Sequence, residues 1–353
     1  MSGSVILSLD AMGGDQSPDM VLKGVQVARK RHPDARYLLF GDESVLAPLV
    51  ARESGLASVC EVRHAATVVG NDEKPSQAVR RGRDSSLWQS IQAVKDGHAA
   101  GVVSAGNTGA FMAMAKLALR TLPGIDRPAI AAIMPTARGD CVALDMGANA
   151  ECSTDNLVQF AVMGEVFART VLGLQNPTIG LLNIGAEDQK GTETLRQAAA
   201  LLRESTLPIR FQGFIEGDDI GKGSVDVVVT DGFTGNVALK AIEGTAKLYT
   251  SFIKGAFQSA LLPRLGYLLA RPAINKVRMR TDPRRYNGAM FLGLNGIAVK
   301  SHGGTDALGF ANAVSVAVDL VTHGFNETIK GEFMKVQRAS GVAPGDLERA
   351  ANG

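Results

Sequence analysis

The chain has 353 residues, of which 40 are glycine, 45% are apolar and 20% are charged. This is the composition of a folded protein with room for a large core, built as one large domain or as two or three smaller ones. The 37 basic and 35 acidic side chains nearly balance, which argues against a general nucleic-acid coat. The cysteines Cys60, Cys141 and Cys152 form no CxxC pair, so neither a disulfide framework nor a cysteine zinc site is predicted.

Short apolar runs alternate with longer helical patterns along the chain, which predicts repeated βα units and a three-layer α/β architecture. In chain order, strands are predicted at Val5 to Asp10, Tyr37 to Gly41, Gly101 to Gly106, Cys141 to Asp145, Thr178 to Asn183 and Val225 to Gly232. Helices are predicted at Pro18 to His32, Pro75 to Lys95, Thr108 to Arg120, Thr154 to Leu172, Lys190 to Glu204 and Thr234 to Leu262. Asn295 and Gly296 stand between two apolar runs, which predicts a β-hairpin and therefore a mixed sheet.

The organisation of the chain is simple. No linker or internal repeat divides it, so we expect one domain over residues 1–340, with one lobe or two. This domain includes a basic amphipathic helical segment at 255–285, and a flexible tail is expected at 341–353. The amino terminus lacks the basic segment of a signal peptide and no apolar stretch is long enough to span a membrane, which predicts a cytoplasmic location.

Five predicted strands run directly into small polar turns that contain glycine. These turns begin at Asp10, Ser104, Asp145, Asn183 and Asp231. Because the carboxyl ends of strands in an open α/β sheet face one crevice, we expect all five turns to converge there. A glycine turn that opens a helix offers free N–H groups to an anion such as phosphate, and the turn from Gly106 to Gly109 is the best candidate. For any single turn, tight loop geometry is the alternative explanation.

Other residues at strand-to-helix junctions are candidates for anion binding. His302 precedes two glycines and could donate a hydrogen bond to a bound anion. Lys190 stands at the start of a helical pattern, where a cation opposes the helix dipole and is better explained by a neighbouring anion. Asn149, Asn236 and Lys240 occupy comparable positions, although a solvated surface role suits Lys240 equally well.

Several common site types have no motif in this chain. There is no GxxxxGK[ST] phosphate loop, no GxGxxG opening a helix, no GxSxG nucleophile elbow and no HExxH pair. We therefore expect no metal, and a nucleotide phosphate loop or dinucleotide fold has little support.

A basic block lies in the last third of the chain. The segment from Arg264 to Arg285 contains seven basic residues and only one acid, Asp282, in a chain whose net charge is +2. The apolar positions beside and within it are Phe257, Leu261, Leu262, Leu265, Tyr267, Leu268 and Leu269. An apolar helix tip flanked by arginines is typical of a surface that meets anionic lipid or an acidic protein. A core or dimer helix followed by a solvated basic loop is the alternative.

Taken together, these turns resemble the phosphate acyltransferase family, the acyl-acyl carrier protein:phosphate transacylases of bacterial phospholipid synthesis. The matching stretches are DAMGGDQSP from Asp10, KPSQAVRR with Ser85 and Ser86, SAGNTGA from Ser104, LDMGAN from Leu144, LLNIG with Lys190 and Gly191, DVVVTDGFTGNVALK from Asp226, and the His302 turn. They span about residues 4–325 in the expected order. Gly82, Ala186 and Gly304 depart from the family pattern, which leaves particular contacts open.

The resemblance implies a reaction and a fold. Long-chain acyl-acyl carrier protein and inorganic phosphate give acyl phosphate and free carrier protein, without cofactor, for phosphatidic acid synthesis. The implied fold is a three-layer α/β/α sandwich with a mixed, mostly parallel sheet, similar to that of isocitrate dehydrogenase and phosphotransacetylase. Members look like homodimers, and a peripheral position at the inner face of the cell membrane, beside the membrane acyltransferase that uses the product, fits this role. A dehydrogenase of related fold and a non-catalytic lipid-surface protein are the alternatives.

On this reading, site roles can be assigned as hypotheses. Phosphate is bound by Gly106, Asn107, Thr108, Gly109, Asn149 and Lys190, and catalysis uses Lys190, Asn107, Asn236 and His302. The residues expected to dock the carrier protein are Arg271, Lys276, Arg278 and Arg280. Those expected to touch the membrane are Leu261, Leu262, Leu265, Leu268 and Leu269.

Overall fold

The structure, a computed structural model, describes residues 4–205 and 209–339, so the predicted tail at 341–353 lies outside the described residues. The strands are Ile6–Asp10 (β1), Arg36–Gly41 (β2), Cys60–His64 (β3), Gly101–Ser104 (β4), Ala129–Pro135 (β5), Asp140–Leu144 (β6), Thr178–Leu182 (β7), Arg210–Ile215 (β8), Val227–Val229 (β9), Ala289–Leu292 (β10) and Ile297–Lys300 (β11).

The α-helices within the described ranges cover every predicted helix and add five more. They are Asp19–Arg31 (α1), Glu43–Arg52 (α2), Pro75–Arg81 (α3), Ser86–Lys95 (α4), Thr108–Leu119 (α5), Thr154–Leu172 (α6), Glu193–Glu204 (α7), Gly217–Lys222 (α8), Gly232–Gln258 (α9), Leu261–Arg280 (α10), Ala307–Thr322 (α11) and Phe325–Ala339 (α12). The helix predicted from Pro75 to Lys95 is broken, because a 3-10 turn begins at Gly82 and Ser85 then caps a new helix by accepting the Trp88 N–H.

All strands belong to one sheet in the order β3-β2-β1-β4-β11-β10-β5-β6-β9-β7-β8. The predicted hairpin is confirmed as β10 and β11, with Met290 opposite Val299. Neighbouring positions such as Phe291 and Leu292 are both buried, in separate apolar clusters, which shows that helices cover both faces of the sheet. The α/β sandwich with a mixed, mostly parallel sheet is therefore confirmed.

The direction of the strands decides where the glycine turns lie. Strands β3, β2, β1, β4 and β11 are parallel to one another, but the next three pairings, β11 with β10, β10 with β5, and β5 with β6, are antiparallel. An odd number of reversals makes β6, β9, β7 and β8 run opposite to β4. The expectation that all five turns converge at one place is therefore wrong. The turns after β1 and β4 lie at one end of the strands, and those after β6, β7 and β9 lie at the opposite end.

Helices α9 and α10 form an arm that projects from this sandwich. In α9 only Gly232 and Gly235 are buried, and α10 has no buried residue. Lengths of 27 and 20 residues correspond to about 40 and 30 Å. Contact between the rings of Phe257 and Tyr267, with centroids 5.4 Å apart, joins the two helices near the tip.

Candidate functional site

The turns after β1, β4 and β11 meet where these three parallel strands end. We call this end of the strands edge A. Asp10, which is 2% exposed, accepts hydrogen bonds from Ser86 Oγ at 2.6 Å and Ser104 Oγ at 2.7 Å, and Ser104 Oγ accepts one from Gly106 N at 3.0 Å. A side chain on Gly13 would overlap the Asp10 carboxylate and stand 2.8 Å from Gly106 N. Burial raises the pKa of Asp10, and the hydrogen bonds from the two serines act in the opposite direction. Asp10 therefore holds the first two turns together.

Lys300, the last residue of β11, brings in the third turn of edge A. Its side chain is 8% exposed, and its Nζ donates to Ala105 O at 3.2 Å and to Ser301 O. Burial lowers the pKa of Lys300 to about 8, and the neighbouring carboxylates of Asp10 and Asp15 act in the opposite direction. Edge A therefore has a buried lysine and a buried aspartate beneath its turns, and their opposite charges attract each other.

The side chain of Asn107, a predicted phosphate ligand, is occupied by the protein itself. Its Oδ1 accepts from Ala110 N at 3.0 Å and so caps α5, and its Nδ2 donates to the carbonyls of Gly70, Asn71 and Glu73 at 3.1, 2.9 and 2.8 Å. This amide therefore ties α5 to the loop before α3 and has no hydrogen left for a ligand. Thr108 and Gly109 remain exposed at the first turn of α5.

His302 also lies at edge A. Its N–H donates to Asn287 Oδ1 at 2.8 Å, and its ring Nδ1 accepts from Gly304 N at 3.1 Å. The acceptor role of Nδ1 leaves Nε2 as the ring's donor in the neutral form. The glycines after His302 lie close to Asp15. A methyl group built on Gly304 would stand 3.3 Å from an oxygen of the Asp15 carboxylate. A negative side chain beside this turn opposes the binding of an anion there.

The turns after β6, β9 and β7 lie at the opposite edge, which we call edge B. Asp145, fully buried, accepts from the N–H groups of Ile130, Gly147, Ala148 and Asn149 at 2.9, 3.2, 3.0 and 2.7 Å. Burial raises the pKa of Asp145, and these donors act against that effect. The Asn149 amide donates to Asp145 Oδ2 at 2.9 Å and to Pro128 O at 2.8 Å. Both amide hydrogens of Asn149 are thus used in shaping the turn, not in reaching a ligand.

The glycines of the next turn are required by a close approach of backbones. Gly232 N donates to Asn149 O at 2.7 Å, and a methyl group on Gly232 would stand 2.6 Å from that oxygen. A methyl group on Gly235 would overlap Asp145 O. The first turn of α9 therefore rests directly on the turn after β6. Asp231 caps this helix by accepting from Thr234 N at 2.8 Å.

Two predicted site residues at edge B have polar side-chain groups with no hydrogen-bond partner among the residues that the structure describes. Asn236 lies in the second turn of α9, half-buried beside Gly147, and Lys190 is exposed in the turn after β7. The expectation that Lys190 begins a helix is wrong, because Thr192 caps α7 and its first residue is Glu193. Since β9 and β7 are adjacent strands, Lys190 and Asn236 follow neighbouring strand ends.

A cysteine also lies close to edge B. Burial raises the pKa of Cys152 to about 11, with Asp145 and Asp231 acting in the same direction. A thiol of that pKa is protonated at neutral pH and is a poor nucleophile. Over residues 4–205 and 209–339, no group of three or more histidine, cysteine and carboxylate side chains is arranged to hold a metal ion.

The basic block divides between two surroundings. Lys276 and Arg280 line a cavity beside the β5–β6 hairpin, together with Arg285, whereas Arg271 and Arg278 do not. The five predicted membrane-contact leucines are exposed near the tip of the arm, from 59% for Leu265 to 86% for Leu269. In the described part of the chain no single helix is long and apolar enough to cross a membrane, and one bent pair, Ala307–Thr322 with Phe325–Glu332, meets that test by length and composition.

Comparison with known proteins identifies the family. A family model described as a fatty acid synthesis protein matches residues 5–328. A protein of Rhodospirillum rubrum named phosphate acyltransferase is 70% identical over 337 residues, which are 96% of this chain and 97% of that protein. A second, from Paramagnetospirillum magneticum, is 62% identical and covers 98% of this chain and 99% of its own length. The chain belongs to the phosphate acyltransferase family.

The fold of this chain is shared with solved phosphotransacetylases. Those of Streptococcus pyogenes and Staphylococcus aureus, the latter an EutD protein, match with TM-scores of 0.61 and 0.59 at 15% and 16% sequence identity. They cover 90% and 91% of this chain and 94% and 95% of their own. The phosphotransacetylase-like fold expected from the sequence is confirmed.

The sequence reasoning did not predict that Asp10 and Lys300 would be buried together at edge A. Asp10 was visible as the acid that ends an apolar strand before two glycines, and Lys300 as the charge that ends IAVK. A charged residue at the end of a buried strand is uncommon unless it has a partner. The positions of Asp10 and Lys300 in the sequence were therefore enough to suggest that each is paired inside the protein.

Proposed function

We propose that this enzyme transfers the acyl group of a long-chain acyl-acyl carrier protein to inorganic phosphate, giving acyl phosphate and holo-acyl carrier protein for phospholipid synthesis. One observation carries the position of the site. At edge B, the Lys190 ammonium and the Asn236 amide have no hydrogen-bond partner among the described residues; they follow the adjacent strands β7 and β9, and Asn236 lies in the second turn of α9, near the positive end of that helix. An anion bound there would meet charge, hydrogen-bond donors and helix dipole together.

The proposed reaction is a direct displacement. An oxygen of HPO4²⁻ attacks the thioester carbonyl carbon, the C–S bond breaks, and the leaving thiolate takes the phosphate proton, so that acyl phosphate and thiol result. Lys190 holds the phosphate in line, and Asn236 donates to phosphate or to the oxyanion that forms at the carbonyl. Burial raises the pKa of Cys152 to about 11, which argues against this thiol as the carrier of a covalent acyl group. Asn107 and His302 have no part in it, since they lie at edge A.

The test is trapping of the product as a hydroxamate. The enzyme is incubated with palmitoyl-carrier protein and hydroxylamine, with and without phosphate, and the hydroxamate formed in an enzyme-free blank, where hydroxylamine cleaves the thioester directly, is subtracted. We expect hydroxamate only when phosphate is present, in amounts equal to the carrier thiol released. Absence of product, or equal hydroxamate without phosphate, would contradict the proposal, because the latter indicates transfer through an acyl-enzyme.

We further propose that α9 forms a homodimer contact. Its exposed apolar side chains Ile242, Leu248, Tyr249, Phe252 and Ile253 lie on one face, from 40% to 64% exposed, while the opposite face carries Glu243, Lys247 and Lys254. Light scattering should give the mass of two chains for the parent protein and for Lys247→Glu, and of one chain for Phe252→Glu. A monomeric parent, or a dimeric Phe252→Glu variant, would refute this contact.

For the tip of the arm we propose contact with the membrane. The exposed leucines Leu261, Leu262, Leu265, Leu268 and Leu269 provide the apolar area, and Arg264 and Arg271 flank it with positive charge. Such contact would hold the enzyme at the cytoplasmic face, where its product is consumed. In liposome flotation with anionic vesicles, Leu265→Glu with Leu268→Glu should stay at the bottom, while Leu201→Glu, an exposed leucine on α7, should float like the parent. Equal flotation of all three would dismiss this contact.

Docking of the acidic carrier protein is proposed for Arg271, Lys276, Arg278 and Arg280. Lys276 has no ion-pair partner among the described acids, and neither do the three arginines. Their charge is therefore available to an acidic partner, mainly as an increase in the association rate at low salt.

A further inference from the structure

The carboxyl end of α10 and the segment after it border an open surface cavity of about 580 Å³ beside the β5–β6 hairpin. Three cations line it, Lys276, Arg280 and Arg285, and Ile133 and Met279 supply apolar wall. Positions 276, 279 and 280 share one face of α10 because three and four residues separate neighbours on a helix. The cavity lies apart from the residues proposed for phosphate, since this hairpin joins the end of β5 to the start of β6, and Asp145 follows the end of β6.

The cations of this cavity are held by backbone carbonyls rather than by acids. Arg280 Nη2 donates to Thr136 O at 2.9 Å, and Arg285 Nη1 donates to Met279 O at 3.2 Å. A carbonyl fixes a guanidinium without neutralising it, and each arginine keeps further N–H donors. Lys276 Nζ has no hydrogen bond or ion pair to another described residue.

The adjacent Arg284 differs from these three cations because acids neutralise its charge. Its guanidinium contacts Asp282 at 2.6 Å and Asp306 at 3.0 Å, so its charge is balanced. The one acid of the cavity, Asp140, forms no ion pair with Lys276, Arg280 or Arg285, and its charge instead raises the pKa of Tyr286, an effect second to the burial of that phenol. Three cations and one acid leave the cavity with a net positive charge.

We propose that this cavity binds a phosphate ester carried on an apolar or extended stem. Two fixed guanidiniums match the oxygens of a phosphate group, and the apolar wall accommodates the stem. The inference deepens the docking role proposed for Lys276 and Arg280, and it rests on the proposed function only for the natural source of the ester. Three sources share this chemistry: the phosphodiester of the carrier protein's prosthetic arm, the acyl phosphate product and a phospholipid headgroup.

The test is calorimetric titration with octyl phosphate, made on full-length Lys190→Ala protein so that edge B does not contribute. Adding Lys276→Gln and Arg285→Gln should weaken binding at least tenfold, while Lys30→Gln with Lys95→Gln, which removes two exposed charges elsewhere, should not. Arg280 is kept because it anchors the hairpin. Unchanged unfolding midpoints in all variants show that the cavity wall is intact. Equal octyl phosphate affinity in the cavity and control variants, or binding of octanol as tight as that of octyl phosphate, overturns the proposal.

Two further measurements, made with Lys190 restored, assign the source. A raised KM for palmitoyl-carrier protein in the cavity variant points to the carrier's phosphodiester, and lost affinity for phosphatidylglycerol vesicles points to lipid. If both are unchanged while octyl phosphate binding is lost, the acyl phosphate product is the ester that the cavity holds. Failure of the proposed function appears separately, as absence of hydroxamate from the parent enzyme.

Discussion

At the scale of single residues, the same device occurs at both edges of the sheet. A strand ends in a buried aspartate, Asp10 in β1 and Asp145 just after β6, which gathers the N–H or hydroxyl donors of the following turns. These carboxylates are fully used within the protein. The residues left to reach a ligand are those with spare donors, and for this reason Lys190 and Asn236 are better candidates than Asn149 or Asn107.

Asn107→Ala should therefore lower stability rather than phosphate use. The change removes the cap of α5 and three hydrogen bonds from one amide. Together these should cost about 2–3 kcal/mol of unfolding free energy, measured by urea titration. Asn236→Ala, which removes no described hydrogen bond, is the matched control and should change stability by less than about 0.5 kcal/mol. Equal losses in the two variants would contradict the structural role of the Asn107 amide.

Lys300 should make stability depend on pH above neutrality. Its folded pKa of about 8 lies below the ordinary lysine value near 10.4, so between these values the unfolded chain binds a proton that the folded chain does not. The lysine's contribution to unfolding free energy is therefore least favourable below pH 8 and improves as pH rises through this window. Relative to Lys300→Met, the parent should gain up to about 1.4 kcal/mol per pH unit between pH 8 and 10. A difference that stays flat over this range would show that the folded pKa of Lys300 is not lowered.

At the scale of elements, the docking of α9 depends on glycine. Gly235→Ala places a methyl group on Asp145 O, so either the helix or the turn after β6 must move. We expect a loss of about 3 kcal/mol or more, together with loss of activity, because Asn236 moves with the helix. Gly255→Ala in the same helix meets no atom within 4 Å and should stabilise it by about 0.5–1 kcal/mol. Urea unfolding of the pair measures both, and a neutral Gly235→Ala would contradict this packing.

At the scale of the whole molecule, apolar runs and turn residues were enough to predict six strands, most of the helices that separate them and the β10–β11 hairpin, whereas the short helices α2 and α8 were missed. The direction of β6, β7 and β9 relative to β1 and β4 was not predicted, because it depends on pairing between distant segments. One local signal was overlooked. Only four residues, 136–139, join β5 to β6, and a connection so short forces antiparallel pairing. That hairpin supplies the last of the three reversals that separate edge A from edge B.

The long arm and the buried charges were also difficult to predict. The apolar residues of α9 and α10 have helical spacing, but spacing alone does not distinguish a helix packed on the sheet from one that projects from it. The pairing of Asp10 with Ser86 and Ser104 joins positions 76 and 94 residues apart. Such contacts follow from the sheet order, which only the folded chain shows.

The central claim is that phosphate binds at edge B, and its most direct test is the phosphate dependence of acyl phosphate formation in Lys190→Ala and Asn107→Ala. Loss of one charged hydrogen bond, roughly 1.5–3 kcal/mol, predicts that Lys190→Ala lowers kcat/KM for phosphate by roughly 10- to 100-fold. Asn107→Ala, assayed below its unfolding temperature, should keep the parent's value. The reverse result, with phosphate dependence lost in Asn107→Ala and retained in Lys190→Ala, would mean that phosphate binds at edge A and would contradict the claim.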